Sequence, residues 1–130
     1  MGYNSYNDVA CSPNDTWMDA SIRAMASKGF VDLGYNYFQI DCGWQGFERQ
    51  ANGSITYDAN SFPNGIHPLS NLARSLGMKW SIYSNQGVYA CDTIQLPDQL
   101  RPGSWGHEQE DAAMFAAWNV EYMKVRYTTC

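Results

Sequence analysis

No apolar run in the 130 residues approaches the ~20 that a membrane-spanning helix needs, so no span of that kind and no membrane partner is expected. Positive charge is also scarce. With 8 Lys and Arg against 13 Asp and Glu the net charge is −5, which disfavours a phosphate-backbone partner such as nucleic acid. The chain has 2 histidines and 4 cysteines but no CxxC pair, so a metal centre is a poor reading even with His67 and His107 available. No glycine-rich phosphate loop follows the first strand-like stretch, which argues against a nucleotide or dinucleotide; no cofactor is expected. The opening Met1-Gly2-Tyr3-Asn4-Ser5-Tyr6-Asn7 has neither a basic start nor an apolar core, so it does not read as a signal peptide.

What is present fits one domain with a real core. Hydrophobic residues make up 45% and aromatics 15%. That aromatic share suits a sugar-stacking site, but for most of the rings ordinary core packing is the better reading. Cys11, Cys42, Cys91 and Cys130 are even in number and widely spaced, which fits disulfides and hence a secretory route. Two glycosylation sequons, at Asn14 and Asn52, lean the same way.

Taken in order, the chain alternates strands and helices. Residues 1–6 read as a short strand. Asn14 or Asp15 caps a helix in which Trp17, Ile22, Met25 and Ala26 recur at helical spacing, and Gly29 ends it. A strand over 37–41 ends in Asp41, and a long loop over 42–67 carries glycines and Pro63-Asn64-Gly65. Pro68 opens a second helix with Leu69, Leu72, Ala73 and Leu76 on one face. A third strand spans 78–84, and a second long loop, 85–106, holds Cys91, Pro97, Pro102 and Gly103. A third helix runs over 107–118 with Met114, Phe115 and Trp118 as its apolar face, and Glu108, Glu110 and Asp111 read as a charge set at its N-terminus. The fourth strand, 121–127, is expected to be buried.

Strand–helix three times and then a strand is an α/β pattern with a parallel sheet. Both long loops follow strands, so they fall at the strands' C-terminal ends, where binding loops gather in barrels and in open doubly wound sheets alike. The pattern alone does not separate those folds. Lys124 stands out in the last strand, between Met123 and Val125. A lysine among buried apolar residues is costly unless its charge meets an anion, a polar ligand or water. Asp41 reads either as a site acid or as a turn or capping acid, and Tyr6 as packing ahead of function. Trp44 and Trp105 fit a sugar platform or loop packing equally.

Several blocks carry a more specific likeness. They are the opening Met1-Gly2-Tyr3-Asn4-Ser5-Tyr6-Asn7, then Leu33-Gly34-Tyr35-Asn36-Tyr37, Ile40-Asp41-Cys42-Gly43-Trp44 and Phe62-Pro63-Asn64-Gly65-Ile66. They continue in Gly77-Met78-Lys79-Trp80-Ser81-Ile82-Tyr83-Ser84, Pro102-Gly103-Ser104-Trp105-Gly106-His107-Glu108 and Tyr122-Met123-Lys124. Taken together and in this order, they resemble glycoside hydrolase family 27, the α-galactosidases and related enzymes, most closely the fungal secreted type.

The resemblance implies a partial (β/α)8 barrel, about the first four strands and three helices, with residues 1–130 as the N-terminal half of a catalytic barrel. It implies retaining hydrolysis of terminal α-linked galactose by two carboxylates. Tyr6, Asp41 and Lys124 match the family's sugar-binding positions, and Cys91 matches a half-cystine near the sugar. The family's nucleophile stands two residues after the strand lysine; here that residue is Arg126. The acid/base carboxylate would come from a later strand, beyond Cys130, so this chain by itself is expected to be inactive. A non-catalytic galactose-binding remnant is the alternative. The likeness also implies a Cys11–Cys42 disulfide, with Cys91 and Cys130 as the other pair. Half a barrel would expose its first and fourth strands as open edges, so self-association is expected.

Overall fold

The computed structural model describes residues 1–92 and 100–127. Pro97 and Cys130 lie outside them. The elements are β1 (Gly2–Asn4), α1 (Tyr6–Val9), α2 (Asp15–Ser27), β2 (Tyr37–Ile40), β3 (Gln45–Arg49), β4 (Ile55–Tyr57), α3 (His67–Ser75), β5 (Lys79–Asn85), α4 (Glu108–Ala117) and β6 (Val120–Arg126). Four strands form a wholly parallel sheet in the order β1-β2-β5-β6. Each neighbouring pair is joined by a crossover with a helix, as parallel pairing requires.

Helices α2 and α3 start where the sequence says. Asn14 accepts a hydrogen bond from Trp17 N at 2.8 Å and caps α2. Pro68 sits in the first turn of α3, where its missing N–H costs nothing. Strand alternation then divides the sheet. Phe38, Ile40, Trp80 and Ile82 face the helices and pack with Met18, Ile22 and Met25 of α2, Leu69 and Ala73 of α3, and Met114 and Phe115 of α4. Tyr3, Phe38 and Trp80 stack across three strands, with ring centroids 4.8 and 5.8 Å apart. The opposite face carries the alternate residues Gln39, Ser81 and Tyr122, which the ladder sets side by side.

Four expectations change. β1 stops at Asn4, and Tyr6 opens the short helix α1. The loop over 42–67 contains a two-stranded antiparallel sheet, β3–β4, which turns at Gly53 with φ +89°. α2 buries Met18, not Trp17, because Trp17 lies in the first turn on the side facing solvent. β6 is an edge strand, so Tyr122 and Val125 remain 55% and 51% exposed where a buried strand was expected. No described helix is long and apolar enough to cross a membrane.

Asp111 corrects the reading of the α4 acidic set. It is buried and forms a two-pronged pair with Arg49, at 2.7 and 3.1 Å, and accepts a hydrogen bond from Ile55 N at 2.9 Å. Arg49 also donates to the carbonyls of Gly53 and Gly103. One buried ion pair therefore ties the β3–β4 hairpin, the loop after β5 and α4 together. Glu108 keeps the helix-terminal role: its own N–H and that of Gly106 hold its carboxyl below the ordinary value.

Candidate active site

The same alternation that sends Phe38 and Ile40 to the helices carries Asp41 to the other face, just past the end of β2. Asn4 on β1, Tyr83 on β5 and Lys124 on β6 share that face, and Tyr83 is the ladder partner of Lys124. All four stand at the C-terminal end of the sheet. Asp41, Tyr83 and Lys124 line a cleft of about 730 Å³ together with Tyr6, Asp92 and Arg126, among others, and Asn4 supports it from behind through Asp41.

Asp41 is the centre of the arrangement. Its side chain is 3% exposed, and Lys124 Nζ lies 2.7 Å from its Oδ2. Asn4 Nδ2 donates to the same oxygen at 2.9 Å, and Cys42 N donates to Oδ1 at 2.9 Å. Ser5 Oγ accepts from Asp41 N at 2.9 Å, which fixes the backbone under the carboxylate. A carboxylate offers about four lone-pair sites, so three donors leave one for a ligand hydroxyl. Lys124 spends one of its three N–H bonds on Asp41, and its 43% exposure leaves the others open to the cleft. Its ammonium lies 5.9 Å from the Tyr6 ring and 5.8 Å from the Tyr83 ring.

The walls are held from behind. The Cys11–Cys42 disulfide joins the stretch after α1 to the turn after β2. Gly43 follows at φ +89°, and a Cβ there would collide with the Cys11 carbonyl, so the closure requires glycine. Asn85 Nδ2 donates to Cys91 Sγ at 2.9 Å, bringing Cys91 to the cleft. The pairing implied for Cys91 ends on Cys130, outside the described residues. Burial pushes the Tyr83 hydroxyl above its ordinary 10.0, with the Asp92 charge adding to the shift, while hydrogen bonding to Asn85 and Cys91 and the Arg126 charge oppose it.

The two tryptophans left open by sequence separate cleanly. Trp44 is fully buried, packs on Phe115 and Trp118, and donates from Nε1 to the Tyr83 carbonyl at 2.9 Å. It is packing. Trp105 is 64% exposed. Asn4, Tyr83 and Asp92 were not singled out from the sequence. Asn4 and Tyr83 had a signal in their place near the C-terminal ends of strand-like stretches, but joining them to Asp41 and Lys124 needs the cross-strand register; Asp92 sits in an irregular loop and had none.

A parallel sheet backed by helices, with polar groups gathered at the C-terminal ends of its strands, is the arrangement of the N-terminal portion of a (β/α)8 barrel. Among the described residues the barrel is not closed. The chain belongs to the alpha galactosidase A family, whose model matches residues 4–130, and the likeness read from its motifs to glycoside hydrolase family 27 holds. It is 40% identical over all its 130 residues to alpha-galactosidase 2 of Arabidopsis thaliana, spanning 31% of that protein. The crystal structure of alpha-galactosidase I from Mortierella vinacea superposes with a TM-score of 0.89 at 35% identity, over 98% of this chain and 30% of that one. The Saccharomyces cerevisiae alpha-galactosidase solved with raffinose superposes with a TM-score of 0.88 at 29% identity, over 98% of this chain and 26% of the other. This chain therefore spans less than a third of the length of each of these relatives.

Proposed function

We propose that these residues form the galactose-binding side of the active site of a retaining α-galactosidase, as the N-terminal half of its catalytic barrel. The observation that carries this is the buried Asp41 carboxylate bound to a half-exposed Lys124 at the strand ends of a chain from this family. Lys124 would donate to sugar hydroxyls while Asp41 accepts from one, and Tyr6 would cover an apolar face of the ring. Holding the sugar this way supplies orientation, the part of the barrier that positioning can lower.

The chemistry of such a reaction needs a carboxylate to attack the anomeric carbon and a second to protonate the leaving oxygen and later activate water. Arg126 lines the cleft at the position the resemblance gives to the nucleophile. Guanidinium has no nucleophilic oxygen and would add positive charge where an oxocarbenium-like centre develops. We therefore read this chain as binding galactosides without hydrolysing them. The Cys11–Cys42 bridge and the exposed sequon residues Asn14 and Asn52 support a secreted, glycosylated protein.

The test is a galactose titration by calorimetry beside an assay with a chromogenic α-galactoside. A monosaccharide of about 12 heavy atoms at about 0.3 kcal/mol per atom gives a Kd of order 1 mM. Saturable binding near that value with no release of chromophore is expected. No binding at 50-fold that concentration would refute the reading of the cleft, and turnover would refute the role given to Arg126.

A further inference from the structure

We propose, resting on the galactoside reading, that Asp92 is a second sugar-binding carboxylate of the cleft, accepting a ligand hydroxyl on its Oδ1. Asp92 lines the same cleft as Asp41 and Lys124, and its side chain is 2% exposed. Its two oxygens are treated differently. Oδ2 lies 3.1 Å from Arg101 Nε, whereas Oδ1 is buried with no hydrogen-bond partner.

Arg101 is itself locked. Its guanidinium reaches Asp58 Oδ2 at 3.3 Å, donates to the Gln45 carbonyl and lies 4.5 Å from the centre of the Phe47 ring. Asp92 is thus anchored through one oxygen while the other is left unpaired. An unpaired buried acceptor costs about 1–3 kcal/mol, and folded proteins retain few of them. Burial pushes the Asp92 carboxyl above its ordinary range, against the pull of the Arg101 charge and of the backbone N–H groups of Asp92 and Gly43 on the carboxylate, and Oδ1 still has no hydrogen-bond partner. A donor arriving with a ligand would relieve both penalties.

The donor that fits is a neutral hydroxyl. Arg101 already supplies a positive charge to this carboxylate, so a second cation has less to gain, and the described residues contain no cluster able to hold a metal ion. A polyhydroxylated ring engaging Lys124 and Asp41 would carry further hydroxyls in the same space. Asp92 then selects which of them is present and how it is oriented. A site built to pair a hydroxyl rejects an analogue lacking it far more strongly than an apolar pocket does.

The test uses the whole 130-residue chain, galactose and the series of monodeoxygalactoses. The wild-type chain should bind galactose and lose about tenfold in affinity for one particular deoxy sugar. Asp92→Asn should bind galactose about tenfold more weakly and lose nothing further with that deoxy sugar. Equal galactose binding by Asp92→Asn and wild type would overturn the proposal, as would a variant that loses affinity with each deoxy sugar as the wild type does. If Asp92→Asn does not fold, the wild-type protein still decides: the Asp92 carboxyl carbon resonance should shift on saturation with galactose, and an unmoved resonance would overturn the role. A wild-type chain that binds no galactose fails the parent reading instead, and this proposal with it.

Discussion

Replacing Lys124 with methionine keeps the length of the side chain and removes its charge, leaving the Asp41 carboxylate with Asn4 and Cys42 as donors. Breaking a fully buried ion pair costs about 3–5 kcal/mol, and an exposed one about 0–1. This pair has one buried member and one that is 43% exposed, so the solvent on Lys124 discounts the cost to about 2 kcal/mol. For 130 residues at about 2.1 cal/mol/K each, that is a fall in Tm of about 7 °C. Asp41→Asn should cost a similar amount, because it turns an acceptor of three hydrogen bonds into a group whose amide faces an ammonium. The double variant should lose about 1.5 kcal/mol less than the two single losses added, since each single change already forfeits the pair. Urea unfolding of the four proteins at one fixed concentration measures this coupling. A coupling below about 0.3 kcal/mol would refute the claim that Lys124 and Asp41 act as one unit.

Asp111→Ala should destabilise by about 3 kcal/mol, because it strands the Arg49 guanidinium and leaves Ile55 N–H unpaired; a loss under 1 kcal/mol in the same urea assay would contradict that network. The raised hydroxyl of Tyr83 means that unfolded chains ionise it first, so its share of stability is full below pH 10.0 and is lost as pH rises towards the folded value. Tyr83→Phe should therefore flatten the alkaline fall in melting temperature, and an unchanged profile would count against the burial argument. Because β1 and β6 are sheet edges and Tyr122 and Val125 are exposed on β6, the isolated chain should associate with rising concentration in sedimentation velocity. Val125→Lys should weaken that association, and a monomer at all concentrations for the parent chain would refute it.

How far the sequence could be read depended on whether a signal was local. The helix over Asp15–Ser27 was legible because its cap, its periodic apolar residues and its terminating glycine all lie within a few turns. The parallel sheet followed from strand–helix alternation alone. The β3–β4 hairpin was missed although Asn52-Gly53 is a recognised turn dipeptide, because Gly46 and the surrounding glycines made the stretch read as loop. Trp44 and Asp111 needed tertiary knowledge. Trp44 is buried only because α4, far along the chain, delivers Phe115 and Trp118 to it, and Asp111 pairs only because a hairpin 62 residues earlier presents Arg49. Lys124 stood out as a charge among apolar strand residues, yet β6 is an exposed edge and the group whose burial demands a partner is Asp41. That the two pair is information no local window contains.

The most direct measurement is a galactose titration followed by nitrogen–proton correlation spectra of the labelled chain. A sugar held by Asp41 and Lys124 should shift the amides of Asp41 and Cys42, the side-chain amide of Asn4 and the ammonium of Lys124, the groups that meet around the Asp41 carboxylate, and this is the expected result. Shifts confined elsewhere, such as the surface groove around Asp19, Arg23 and Pro68, or no shifts at saturating sugar, would contradict it.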